Sequence, residues 1–434
     1  MASHSLKHSR RNSLPQLAAL LISMAACGGG AGSAPNADAQ ESTSTGSSAG
    51  APATPPKASQ PTAAGQAQAP GSSTPSTPSS RSGMNTSAPS TPSTPSTSGA
   101  QTPAQSTPPM NAMPTDPMAM PTADPMAPTT TPDPGTVQLP VDVGTPTLYW
   151  LEIVSGVVVK GSPEGGRQMN VVTGGMLSAP DGVTIDPEGK HFFVLNMGTV
   201  IGGGNQGSLI RYNLDGSGGE AIMKAGAMAD GETFNTGKQV TIDRVDKKLY
   251  MGDREGSKVW RCDYDGGNLQ VLVSEHGVQQ IVGVGADPTK KHFYFSDRNG
   301  KKLFRAGMDM PAGETHADRK DVELIYVEKV NNSMPLDIEL DLEERMIYWT
   351  DRTQGKIQGM HMDIPAGETP ENRTDVKTIK DGLTEAIGLA YDHQEKMLFV
   401  THNGTVSKVK TDGSGFDGIG TSGRTGIAFA RIAP

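Results

Sequence analysis

Cysteine, aromatic residues and long apolar runs are all scarce in this sequence. Only Cys27 and Cys262 occur in 434 residues, so no disulfide framework holds a fold together and stability must come from packing. Aromatic residues make up 5% of the chain, which asks each of them to fill a large share of whatever core forms. The longest apolar stretch, Leu14 to Ala26, is too short to cross a bilayer as a helix. Positive charge is also in deficit: the net charge is −9, which argues against nucleic acid as a partner. HExxH and HxH spacings, GxSxG elbows and phosphate-binding glycine loops are missing too, so no zinc, serine-hydrolase or nucleotide chemistry announces itself.

What is present divides into three parts. Residues 1–27 carry Lys7, Arg10 and Arg11, then the apolar stretch, then small residues before Cys27, the layout of a secretion signal. Met24-Ala25-Ala26-Cys27-Gly28 resembles a bacterial lipobox, although Met24 stands where Leu is usual. That resemblance implies a lipidated Cys27 and a cell-envelope location, periplasmic or on the outer-membrane surface. Residues 28–145 collapse to Ser, Thr, Pro, Ala, Gly and Met with runs such as STPSTPS. Such a segment is expected to be disordered, because it has too little apolar surface to offset its chain entropy. Proline would keep it extended as a stalk.

Residues 146–434 repeat. An aromatic strand with a polar stop recurs as LYWLE at Leu148–Glu152, FFVLN at Phe192–Asn196, LYMGD at Leu249–Asp253, FYFSD at Phe293–Asp297, IYWTD at Ile347–Asp351 and LFVTH at Leu398–His402. Each copy after the first follows a short apolar strand ending in Asp and a charged turn, as in GVTID-PEGKH and IELD-LEERM. It precedes a third strand with a basic residue and a short fourth strand. Four strands per unit over six units predict an all-β, six-bladed propeller. The chain enters at a second strand and ends on Thr425–Phe429, which has the first-strand pattern. The C-terminal strand is therefore expected to complete the first blade and close the ring, removing exposed edges.

IYWTD at Ile347–Asp351, in register with its five weaker copies, resembles the YWTD repeat of low-density-lipoprotein-receptor class B propellers. The resemblance covers roughly residues 146–434. It implies that the aromatic residues wedge between blades and that the motif acid pairs with a base on strand three: Glu152 with Lys160, Asp253 with Arg261, Asp297 with Arg305. Asp351 would face Gly359 and lack such a partner, while Asn196 and His402 replace the acid.

Function is expected in loops on this rigid disc. Polar residues placed near the axis are Asp181, Lys238, Asn332, Asp337, Glu339, Glu385, Asn403 and Arg424. Glu339 is the odd one, since it stands where other units have Thr184, Thr241 or Ala390, and a buried carboxylate is costly unless paired. Two near-identical insertions, Met308–Leu324 and Met362–Thr378, are expected to project side by side from one face. Their Glu314, Asp318, Glu368 and Asp375 are oxygen donors suited to a hard cation. Insertions at Thr199–Gln206 and Gly226–Thr236 belong to the other face. The leading expectation is a monomeric, non-enzymatic binding module with no cofactor, held to the membrane by its lipid and recognising an envelope or extracellular protein or glycan. The alternative is a hydrolase or lyase resembling the six-bladed gluconolactonases, with calcium or another divalent ion held at the axis by Glu339, Asn332, Asp337, Glu385 and Asn403.

Overall fold

The computed structural model describes residues 137–199 and 202–434; Cys27 and the segment before Val137 lie outside them. Among the described residues there is no helix, and six four-stranded antiparallel sheets form the six blades of a propeller. Blade 2 consists of β4 (Pro180–Asp186), β5 (His191–Asn196), β6 (Ser208–Asn213) and β7 (Glu220–Met223). A small hairpin, β8 (Met228–Ala229) and β9 (Glu232–Thr233), precedes blade 3, which runs through β10 (Gly237–Asp243), β11 (Lys248–Asp253), β12 (Lys258–Asp263) and β13 (Gln270–Val273). Blade 4 is β14 (Ile281–Asp287), β15 (His292–Asp297), β16 (Lys302–Gly307) and β17 (Glu323–Val327). Blade 5 is β18 (Pro335–Asp341), β19 (Met346–Asp351), β20 (Lys356–His361) and β21 (Lys377–Lys380). Blade 6 is β22 (Ala386–Asp392), β23 (Met397–His402), β24 (Thr405–Lys410) and β25 (Asp417–Thr421).

Blade 1 is assembled from both ends of this region. β1 (Thr145–Glu152), β2 (Val157–Gly161) and β3 (Met169–Thr173) are completed by β26 (Ile427–Ile432). Trp150 stands opposite Ile427 and Thr145 opposite Ile432, so the ring closes through a backbone ladder, as the repeat pattern predicts.

One apolar layer fills each interface between blades. Leu, Val, Ile and aromatic side chains from the second strands pack against the neighbouring first strands. An aromatic pair spans every interface: Tyr149–Phe192, Phe193–Tyr264, Tyr250–Phe293, Tyr326–Trp349, Tyr348–Tyr391 and Phe399–Phe429, with centroids 5.0–5.8 Å apart. A chain with few rings therefore places them where burial is greatest.

Near the axis the first strands approach one another so closely that side chains are excluded at one level. A Cβ on Gly182, Gly283, Gly388 or Gly426 would lie within 2.4 Å of a backbone oxygen of the next blade. Hydroxyls stitch this contact: Ser296 receives the Gly283 N–H (2.8 Å) and donates to Leu336 O (2.6 Å). Thr350, the Thr of IYWTD, receives the Asp337 N–H and donates to Ile387 O. Thr401 does the same for Gly388 and Thr425.

The charged turns between first and second strands form a second belt on the face that can be called the turn face. At five of the six interfaces a basic side chain grips the preceding blade: Arg244 to Glu188, Lys291 to Asp246, Arg345 to Asp287, Lys396 to Asp341 and Arg431 to Asp392. The motif acids at the opposite, loop face act differently from the expectation. Asp253 accepts the N–H groups of Asn235, Thr236 and Gly256, and Asp297 those of Gln279, Gln280 and Gly300, all at 2.9–3.1 Å. Asp351 accepts from Met334, Thr353 and Gln354. They do not reach strand three's bases. The hairpin register places Arg261 opposite Tyr250, Arg305 opposite Tyr294 and Lys160 opposite Tyr149, three residues along the ladder from each acid. Arg261 donates to Met308 O, Arg305 pairs with Glu323 and Asp363, and Lys160 lies over the Tyr149 ring. Asp351 stands opposite Lys356, and Gly359 opposite Tyr348.

The twin insertions do share the turn face, but each folds down onto the preceding blade. Arg319, with its side chain wholly buried, donates to Leu272 O, Gly307 O and Asp309 O and makes a two-pronged pair with Asp321 at 2.7 Å. Arg373 repeats this with Ile325 O, His361 O, Asp363 O and Asp375. Backbone bonds Ser274 N–H to His316 O and Val327 N–H to Pro370 O complete the clasps. Glu314, Asp318 and Glu368 receive their own loop's N–H groups. These acids are thus structural partners of the clasps and do not converge.

Candidate functional site at the propeller axis

Two separate polar sites lie on the axis, one at each end. At the loop face the residue following the motif acid is Arg254, Arg298 and Arg352 on blades 3, 4 and 5, and each backbone N–H there donates to the loop before the first strand. The same position on blades 1 and 2 holds Ile153 and Met197, which form a small apolar cluster with Ala179. Blade 6 has Asn403 there, so the six positions are three guanidiniums, two apolar side chains and one amide.

Acids balance part of this charge. Lys238, 8% exposed, pairs with Asp181, 1% exposed, and its ammonium also lies 3.0 Å from Met197 Sδ. Burial outweighs the Asp181 charge and brings Lys238 down to about 8. Arg254 pairs with Glu255, Arg352 with Glu385 (2.7 Å) and Arg424 with Glu152 (3.4 Å). Arg298 is different. It is 8% exposed, donates to Gln280 Oε1 at 2.7 Å, and faces Met334 Sδ at 3.4 Å. Burial first, then the Arg254 and Arg352 charges, lower it to about 10. Beside it opens a cavity of about 530 Å³ walled by Asn299, Lys301, Asn331, Asn332 and Met334. Gly202 at φ +76 allows the blade 2 loop to close on Arg254, where a Cβ would come within 2.4 Å of the guanidinium.

At the turn-face end, a cavity of about 190 Å³ runs between the first strands of all six blades, bordered by residues such as Thr184, Thr241, Gly285, Glu339 and Ala428. Glu339 is the one carboxylate in a lining that also includes Arg244, Tyr391 and Phe429, and it has no hydrogen-bond or ion-pair partner among the described residues. Asp337, two residues earlier on the same strand, stands at the level where four blades have glycine. Its oxygens accept the Leu389 N–H (2.9 Å) and the Ile338 N–H (3.0 Å). Burial, which those bonds only partly offset, holds Asp337 up at about 8. Burial first, and then the Asp337 charge, raise Glu339 well above the usual carboxylate range. The segment ahead of β1 crosses beneath this cavity: Asp142 pairs with Arg244 at 2.5 Å, and Asp142 O accepts from Gln394 at 2.8 Å.

Of the residues singled out from sequence, Asp181 and Lys238 meet directly, and Glu385 and Arg424 each join a mouth ion pair. Asn332 and Asn403 occupy left-handed turns at φ 61 and 44 on the loop face, while Asp337 and Glu339 lie inside the ring. Those five candidate ligands for a divalent ion, Glu339, Asn332, Asp337, Glu385 and Asn403, therefore do not assemble into one cage. Among the described residues no three His, Cys, Asp or Glu side chains converge. His292 and His402 are half-buried and their burial lowers both; Cys262 is a buried thiol raised to about 12 by burial. Sequence reasoning missed the three arginines. Their signal was the Asp-Arg pair in LYMGDR, FYFSDR and IYWTDR.

The architecture defines a six-bladed β-propeller with a cationic mouth. No family model matches the chain. A protein of Pyricularia oryzae (strain 70-15) named low-density lipoprotein receptor-related protein 1 is 29% identical over 266 residues, 57% of this chain and 82% of that protein. The 3-hydroxyacyl-CoA dehydrogenase-like protein LAM1 of Cochliobolus heterostrophus is 29% identical over 260 residues, 54% of this chain, and the chain spans about half (52%) of its length. Pentonolactonase XacC of Haloferax volcanii is 26% identical over 234 residues, 54% of this chain and 70% of that enzyme. Among solved structures, a chain of a nidogen/laminin complex superposes with a TM-score of 0.52 at 15% identity, covering 67% of this chain and 100% of that one. That likeness shows the fold alone.

Proposed function

We propose that this protein is a monomeric, non-enzymatic binding module tethered to the cell envelope through a lipid on Cys27, with the arginine-bearing mouth as its recognition surface. The observation that carries this reading is the polarity of the disc. The chain leaves β1 on the turn face, pinned by Asp142, while Arg254, Arg298 and Arg352 face the other way. A tether on one face and a recognition surface on the other suit display outward from a membrane. Names of two similar proteins, a receptor-related protein and a chain in a nidogen/laminin complex, are compatible with a propeller that recognises a partner.

The full-length protein and Cys27→Ser would be compared for fatty-acid labelling and membrane fractionation, and the wild type for saturable binding to purified envelope. Labelling that vanishes in Cys27→Ser, with saturable envelope binding, supports the reading. An unlabelled wild type or absence of saturation overturns it.

A second reading has one specific support, the similarity to a pentonolactonase together with an unpartnered Glu339 in the axial cavity. Hydrolysis of pentono- or gluconolactone that requires a divalent ion and disappears in Glu339→Gln would replace the binding reading with this one.

A further inference from the structure

Resting on the reading of the loop face as a recognition surface, we infer that its ligand is an acidic saccharide, held through its carboxylate by Arg298 in the cavity between blades 4 and 5. Arg298 is the buried guanidinium of the mouth whose polar contacts are an amide oxygen and a thioether. Neither neutralises it, thioether sulfur is a weak acceptor, and the charges of Glu255 and Asp181 act on it without an ion pair. Its neighbours Arg254 and Arg352 are each engaged by a glutamate. An incoming carboxylate is the group that a planar guanidinium accepts by two parallel hydrogen bonds.

The remaining wall specifies the rest of the ligand. Asn299, Asn331 and Asn332 present amides and Lys301 a second cation, while Met334 is the single apolar side chain. No aromatic ring lines the cavity, so a stacked base or an apolar body gains little there. Several amides around one fixed cation match a compact molecule bearing many hydroxyls and one acid group. A volume of about 530 Å³ suits one or two sugar rings within the usual range for small-ligand sites. Ser333 borders the cavity too, but its hydroxyl is committed to Asp351. Glucuronate, free or at the end of a glycan, carries this chemistry.

Titration calorimetry on the full-length protein with glucuronate, a glucuronate-terminated oligosaccharide, glucose and inorganic phosphate, at matched ionic strength, tests the inference. Glucuronate is expected to bind saturably and at least about tenfold more tightly than glucose. Arg298→Gln should lose that binding, Arg298→Lys should weaken it, and Arg305→Gln on the outer rim should leave it intact. Tighter binding of the oligosaccharide than of glucuronate would place the source on a glycan, and equal binding would place it with the free acid. No glucuronate binding, equal binding of glucose, tighter binding of phosphate, or unchanged binding in Arg298→Gln overturns the inference. Envelope binding that survives in a protein blind to glucuronate separates failure of this inference from failure of the recognition reading.

Discussion

The two ends of the axis solve the same electrostatic problem in opposite ways. At the loop face, buried charge is kept and opposed by charge: Asp181 and Lys238 are almost wholly enclosed, yet each has the other. Towards the turn face, Asp337 and Glu339 have no ion-pair partner among the described residues, and burial raises both carboxyls. The difference favours the loop face as the proposed recognition surface. A surplus of guanidinium leaves positive charge for an incoming anion, whereas a carboxyl raised by burial lessens its desolvation penalty by holding its proton.

Four experiments would break or sharpen this contrast. The largest effect should come from deleting residues 425–434, which removes β26 and with it the first strand that both ends of the axis share. The domain should lose its cooperative melt, and a sharp transition by circular dichroism would show that five complete blades suffice. Next, Lys238→Met leaves Asp181 buried without a cation and should cost about 3–5 kcal/mol in urea unfolding. A loss under about 1 kcal/mol would mean that the buried pair adds little to stability.

The third effect concerns pH. Asp337 titrates near 8 when folded and near 4 when unfolded. Its contribution is fully present below pH 4 and is lost as pH rises toward 8, because the unfolded chain releases the proton first. Stability should therefore fall by on the order of 1 kcal/mol per pH unit between pH 5 and 8 from this group, and Asp337→Asn should flatten that slope. An unchanged slope would assign the proton to Glu339. The smallest effect is expected from Arg424→Ala, which breaks a partly exposed pair with Glu152 and should cost about 0.2–1 kcal/mol.

The fold was legible because a propeller writes its strands six times. LYWLE through LFVTH kept register, and Thr425–Phe429 announced the closing strand. Register within a hairpin was less legible. Acid and base eight residues apart looked like partners, but with four-residue turns Asp253 stands opposite Lys258 and its carboxylate is taken by backbone N–H groups. Residues brought together by ring closure were harder still. Asp337 and Leu389 meet, and Arg298 comes within the field of Arg254 and Arg352, because strands from different blades converge, a relation that spacing along the chain does not encode. Glu339 stood out because its position is otherwise small, and the structure adds that no partner reaches it. The lipobox-like Cys27 lies outside the described residues and remains a proposal.

The segment that crosses beneath the ring also has a mechanical meaning. A pull on the chain ahead of Val137 first loads the Asp142 contacts with Arg244 and Gln394 and then enters β1 end-on. β1 is flanked by β26 on one side and β2 on the other. Tension along that strand is resisted in shear by two hydrogen-bonded ladders at once, so the bonds share the load instead of opening one at a time. A disc hung from this point should tolerate drag on its far face better than one hung from an edge strand such as β3.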